Sequence, residues 1–110
     1  MLQTLAALAE PNRFRIVELL RDGPRPVNDI AVQLGMNQPQ ASKHLRVLKS
    51  AGVVSVRPNA QQRVYELCPE SLRRMHDWLE GYRQLWDERF VEFDELLEEL
   101  KQTEMSDDRK

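Results

Sequence analysis

The chain of 110 residues has one cysteine, Cys68, and two histidines. A single thiol excludes an intramolecular disulfide framework and any cysteine-rich zinc site. Long apolar runs are missing as well. The longest spans only a few residues, too short for a transmembrane helix or the core of a signal peptide. No membrane partner is expected, and a cytoplasmic location is the default. The four glycines are widely separated, so there is no glycine-rich phosphate loop. No pair of carboxylates marks a cleft, no Ser/His/Asp set follows a known motif, and Cys68 has no partner histidine in its sequence context. These gaps argue against an enzyme, and no catalytic residue and no cofactor is expected. The length suits one small domain.

An excess of either charge is also missing: 16 Lys+Arg stand against 18 Asp+Glu, a net of −2. That sum conceals a division at residue 67. Residues 1–67 carry nine basic and five acidic side chains, a net of +4, and residues 68–110 carry seven and thirteen, a net of −6. Between residues 36 and 66, five bases accompany one acid, Glu66. Such asymmetry points to a basic binding face joined to an acidic partner segment. A solvated surface of mixed sign is the plainer alternative.

Apolar spacing and helix breakers predict five helices and one hairpin. Residues 2–9 form a short apolar helix, and Pro11 suits the first turn of the next, 12–21. Asp22-Gly23-Pro24 is a stop and turn. A third helix starts near Asn28, buries Ile30, Ala31 and Leu34, and ends on Gly35. A fourth starts after Asn37 as N-cap, buries Ala41, Leu45 and Leu48, and ends at Gly52. Residues 28–52 therefore read as helix, short turn, helix. Val53–Arg57 and Arg63–Leu67 form a β-hairpin around a polar turn, Pro58–Gln62. A hairpin directly after a helix-turn-helix is a wing.

The last third predicts one long helix, 69–102, followed by a flexible polar tail, 103–110. Leu72, Met75, Leu79, Tyr82, Trp86, Arg89, Phe93, Leu96 and Leu100 follow a heptad seam broken only by Arg89. Trp78, Leu85, Phe90 and Leu97 flank it. Such a helix is roughly 50 Å long at 1.5 Å per residue, longer than the rest of the domain is wide. Its apolar face calls for another chain. Gly81 inside it is either tolerated or a point of close helix approach.

The fourth helix carries the chemistry. Opposite its apolar face stand Gln40, Ser42, Lys43 and Arg46, with Gln38 at the amino end and His44 at the flank. Gln can bond adenine, Lys or Arg can bond guanine, and Ser can reach a base or a phosphate. A helix N-terminus also favours phosphate. Arg57 and Arg63 bracket the wing turn and suit phosphate or the minor groove. Double-stranded DNA is the partner this inventory fits.

These motifs resemble the arsenic-repressor (ArsR/SmtB) winged-helix transcriptional regulators. The residues that carry the likeness are Leu5-Ala6, Glu10-Pro11-Asn12-Arg13, Ile16-Val17, Leu19-Leu20, Ile30-Ala31, Leu34-Gly35, the segment Asn37-Gln38-Pro39-Gln40-Ala41-Ser42-Lys43-His44-Leu45, Leu48, Ala51-Gly52-Val53-Val54, and Arg63-Val64-Tyr65-Glu66-Leu67. The resemblance implies a mainly α, dimeric winged helix-turn-helix with four helices, two strands and a final helix. It implies Gln38, Gln40, Ser42, Lys43 and His44 facing the groove and Arg57 and Arg63 on the wing. It also implies a homodimer built on the first and last helices, here Leu2, Leu5, Leu72, Met75, Leu79, Tyr82, Trp86 and Phe93, on a near-palindromic operator.

The departures point to a metal-independent branch. Relatives that sense metals use a Cys-x-Cys pair in the third helix, or Asp, His and Glu ligands on the last. Here Asn28–Leu34 has neither Cys nor His, His76 is alone on the last helix with Asp87 eleven residues on, and Phe90 stands where a fourth ligand would. One His and one carboxylate cannot close a tetrahedral site. Trp78, Tyr82, Trp86, Phe90 and Phe93 suit dimer packing, or alternatively a pocket for an organic effector. Cys68 reads as a small buried residue, or alternatively as a redox switch that would need a second copy or a small thiol. The expected function is a homodimeric DNA-binding repressor. A winged-helix module that binds protein instead of DNA is the alternative.

Overall fold

The computed structural model describes residues 1–108. Along them run α1 (Leu2–Leu8), α2 (Pro11–Leu20), β1 (Arg25–Pro26), α3 (Val27–Leu34), α4 (Gln38–Ser50), β2 (Val54–Asn59), β3 (Gln62–Leu67), α5 (Pro69–Glu80) and α6 (Arg83–Asp108). The chain divides into two compact units after Met75.

In the first unit the helix boundaries follow from their caps. Glu10 begins α2 by accepting the Arg13 amide at 2.8 Å, with Pro11 in the first turn. Gly35 and Gly52 adopt positive φ, +66° and +75°. Beyond each glycine the next amide reaches back into the helix, Met36 to Ala31 O at 3.0 Å and Val53 to Leu48 O at 2.9 Å. Both ends are glycine-based C-terminal motifs. One boundary differs from expectation: α3 starts at Val27, and Pro26 rather than Asn28 is its N-cap.

The core lies where the apolar faces of α2, α3 and α4 meet the sheet. Ile16, Ile30, Leu45, Leu48, Val53 and Val54 are fully buried. The sheet has three strands in the order β1-β3-β2, all antiparallel. The hairpin was expected; β1 was not. It has two residues, Arg25 opposite Tyr65 and Pro26 opposite Val64, too short to carry a periodic signal. Its proline is tolerated because β1 is an edge strand. The wing turn is also tighter than expected. The strands run to Asn59 and resume at Gln62, leaving Ala60 and Gln61, with Ala60 at φ +57°. A two-residue hairpin turn needs that conformation, and glycine usually supplies it.

In the second unit no residue from 76 to 103 is buried. The expected single helix from 69 to 102 is two helices, interrupted at Gly81-Tyr82. Around the break the amides of Gly81 and Tyr82 bond Trp78 O and Leu79 O, at 3.1 and 3.0 Å. Bonds to the third residue back tighten the chain out of α geometry. A Cβ at position 81 would lie 3.2 Å from Trp78 O. Glycine thus fits a tightened turn here. α6 then continues through Asp108, so the expected tail is helical from 103 to 108, and 109–110 lie outside the described residues. Trp78 and Tyr82 stack edge to face, with centroids 5.5 Å apart. From Leu85 to Leu100 the helical period gathers Leu85, Trp86, Phe90, Phe93, Leu96, Leu97 and Leu100 on one face, all exposed. Arg89 is the single charge among them. Asp87, Glu88, Glu92, Asp94, Glu95, Glu98 and Glu99 occupy the other face.

Candidate nucleic-acid interface

The turn between α3 and α4 is set by Gly35 and by a capping box at Asn37. Its Oδ1 accepts the Gln40 amide at 2.9 Å, and Gln40 Oε1 accepts the Asn37 amide at 3.2 Å. Both bonds satisfy amides that the helix start leaves unpaired. Ala41, Leu45 and Leu48 then seat α4 in the core, which fixes the direction of every other side chain on it.

Gln38, Ser42, Arg46 and Lys49 form one stripe along α4. They line one wall of a trough of about 640 Å³ whose other wall is the wing, with Gln61, Gln62, Arg63, Val56 and Tyr65; Val27 and Asn28 of α3 close it. No carboxylate lines this trough. Asp29, an acid on α3, is held by Arg25 at 2.7 Å. The surface so formed is concave, polar and positive. Such a surface suits a phosphate backbone and the base edges beside it.

The expected groove residues separate in the structure. Gln38, Ser42, Arg46 and Arg63 come together in the trough. Lys43 is exposed on the outer face of α4. Gln40 is exposed, but its side-chain oxygen is committed to the cap. It can offer a base only its amide N–H unless the cap opens, which disfavours bidentate reading of adenine. His44 lies at the flank of α4, as the helical spacing predicts, whereas the resemblance implies that it faces the groove. It is half-buried on the far flank, its Nδ1 3.6 Å from Glu10 Oε2. The wing arginines also part. Arg57 pairs with Val64 and Arg63 with Pro58. Partners across a ladder share a face and neighbours alternate, so Arg57 and Arg63 project from opposite faces. Lys49, Gln61 and Gln62 went unnoticed in the sequence. Lys49 was legible: it lies seven residues past Ser42 and three past Arg46, on the same face. The two glutamines are not, because the polar stretch Pro58–Gln62 carries no alternation to mark where the strands end.

Of the residues expected at a dimer contact, Leu2, Tyr82, Trp86 and Phe93 are exposed, while Leu5, Leu72, Met75 and Leu79 are half-buried. His76 lies beside Asp77 at 3.4 Å and Glu80 at 3.5 Å. Arg83 meets Glu80 and Asp87. Among the described residues no three His, Cys, Asp or Glu side chains converge as a metal site. Cys68 is half-buried at the end of β3, and its amide donates to Val53 O at 2.8 Å.

The Glu10 carboxyl is held below its ordinary value of 4.5, chiefly by the Arg13 amide and further by the Asn12 amide and the charges of His44 and Arg13. A carboxylate whose folded pKa is depressed contributes stability above its ordinary pKa and loses it as pH falls through the folded value. The contribution therefore disappears on the acid side, below about pH 4.5. Glu10→Ala should flatten that acid limb of the melting-temperature profile. An unchanged limb between pH 5 and 3 would contradict the assignment.

The sequence profile of the bacterial regulatory proteins of the arsR family matches residues 10–56. The HTH-type transcriptional regulator Rv2034 of Mycobacterium tuberculosis is 42% identical over 89 residues, covering 74% of this chain and 83% of that protein. The chain belongs to the ArsR family. The transcriptional repressor SdpR of Bacillus subtilis is 33% identical over 73 residues, 66% of this chain and 81% of that one. Other curated relatives are longer: the chain spans 62% of one and 30% of another. Among solved structures, the homodimeric winged helix-turn-helix DNA-binding domain of Mb0332 from Mycobacterium bovis superposes with a TM-score of 0.62 at 33% identity, over 74% of this chain and 76% of that chain. As an ArsR-family winged helix-turn-helix protein, the chain is a DNA-binding transcription regulator, in a family of regulators rather than enzymes.

Proposed function

We propose that the protein is a homodimeric repressor that binds a near-palindromic operator through α4 and the wing. The observation that carries this is the trough, where Ser42, Arg46 and Lys49 of α4 stand across from Arg63 with no carboxylate in the lining. A homodimer is supported by the exposed apolar face of α6 and by the homodimeric state of the Mb0332 domain. Two recognition helices would then enter successive major grooves about 34 Å apart. Repression is supported by the role of SdpR: a dimer seated over a promoter blocks polymerase. We place the protein in the cytoplasm with its DNA, and assign it to a branch that works without metal. Among the described residues the acids that reach His76 are Asp77, next to it, and Glu80, one turn on, and α3 offers no Cys or His.

In these terms Gln38, Ser42 and Arg46 read bases, Lys43 and Lys49 meet phosphate, and Arg63 contacts the backbone from the wing. The test starts with a duplex selected from a random pool, titrated by fluorescence anisotropy at several salt concentrations beside a scrambled duplex. Affinity should fall linearly on a log–log plot, because phosphate contacts release counterions. Lys43→Ala should weaken both duplexes alike and lower the salt slope by about one. Gln38→Ala should cost about 1–3 kcal/mol on the selected duplex and little on the scrambled one. Salt-independent binding, or equal losses from both substitutions on both duplexes, would refute the assignment.

A further inference from the structure

His44 sits on the flank of α4 away from the trough. Its imidazole Nδ1 stands 3.6 Å from Glu10 Oε2, with the two side chains 19% and 30% exposed. That separation is beyond hydrogen-bond length. Attraction between the two therefore depends on the imidazole carrying charge. The same Oε2 accepts the Arg13 amide and so starts α2. Arg13 in turn donates through Nε to Ala7 O, at 2.6 Å, in the last turn of α1. One carboxylate thus links the recognition helix to the corner where α1 ends and α2 begins. Of the elements packed against this flank, α1 carries no titratable side chain. Near the corner α2 contributes Arg13, whose guanidinium is engaged by Ala7, and its cap Glu10. On α4 itself the adjacent charge is Lys43, which is exposed.

We propose that His44 is a positioning residue: as an imidazolium against Glu10 it holds the recognition helix at one angle to the α1–α2 corner, so that DNA affinity rises when a side chain that does not touch DNA takes up a proton. The inference rests on α4 being the helix that enters the groove. Its physical basis is preorganisation. A helix already held in its binding pose loses less freedom on association.

The selected and scrambled duplexes again serve as probes, titrated between about pH 5.5 and 8 at constant ionic strength, across the imidazole range. Wild-type affinity should rise about two- to fivefold as pH falls, the span expected of a partly exposed ion pair. His44→Gln should be flat across the range. Glu10→Gln should be flat as well, although His44 is intact. Glu10→Asp keeps a capping carboxylate and draws it back by one methylene. It should hold the melting temperature near wild type and still flatten the pH profile. A wild-type rise that survives in both Glu10 variants would show His44 acting on phosphate directly and overturn the proposal. So would a wild-type profile without the rise. Loss of salt-dependent binding by the wild type at every pH would instead remove the DNA reading on which the proposal stands.

Discussion

A chain carrying Phe93→Asp together with Leu96→Asp should sediment as a monomer and bind the selected duplex about 10²–10⁴-fold more weakly. Both side chains are more than half exposed on α6, at 56% and 51%, and neither belongs to the buried cluster of Ile16, Ile30, Leu45 and Leu48. Two new carboxylates there join a helix that already carries seven acids between Asp87 and Glu99. Covering such a face with a second copy would bury like charges without partners, which is costly. The winged unit should melt as before, because its core is untouched. DNA binding should fail for a geometric reason. Two linked reading heads make the second contact intramolecular, and the associated gain is of the order stated. Analytical ultracentrifugation and anisotropy on one preparation check both parts. A variant that stays dimeric, or a monomer that binds as tightly as the wild type, would refute the α6 interface.

Leu45→Ala should destabilise the protein by about 2–5 kcal/mol, the range for removing a buried leucine side chain. Leu45 is fully buried, in the middle of α4, among Ile16, Ile30 and Leu48. Deleting its isobutyl end removes apolar contact and leaves a cavity that neighbours on α2 and α3 can fill only in part. Domains of this size have a total stability of roughly 5–15 kcal/mol, so the loss is a large share. Urea unfolding followed by circular dichroism should show a lower midpoint with little change in slope. DNA affinity should fall too, because Leu45 also sets the rotation of the recognition helix. A midpoint within error of the wild type would mean that α4 is not anchored as described.

Much of the reading head was legible without coordinates. Gly35 and Gly52 announce left-handed caps because an L side chain is strained at positive φ. Asn37, with Gln40 three residues on, is a helix start because unpaired amides need acceptors. Ala41, Leu45 and Leu48 mark the buried face, which leaves Ser42 and Arg46 pointing outward. These are short-range constraints, set within a turn or two of chain. What escaped were pairings between distant segments. β1 exists only because Tyr65 and Val64 offer it a ladder. The break at Gly81-Tyr82 interrupts a heptad pattern that continues on either side, so the apolar spacing alone could not show it. Gln61 and Gln62 joined the trough only because the paired strands close the turn to two residues and stand across from α4.

The sequence by itself determined the order of elements, the basic recognition helix and the acidic apolar helix that follows, because caps, periodicity and charge act over a few residues. Only the tertiary structure decided which polar residues share a surface. It joined Arg46 and Lys49 to Arg63, turned Arg57 to the other face of the wing, committed Gln40 to a cap and set His44 against Glu10. The reason is that a side chain's direction follows from the packing and register of its whole element, and those are settled by partners far away in the chain.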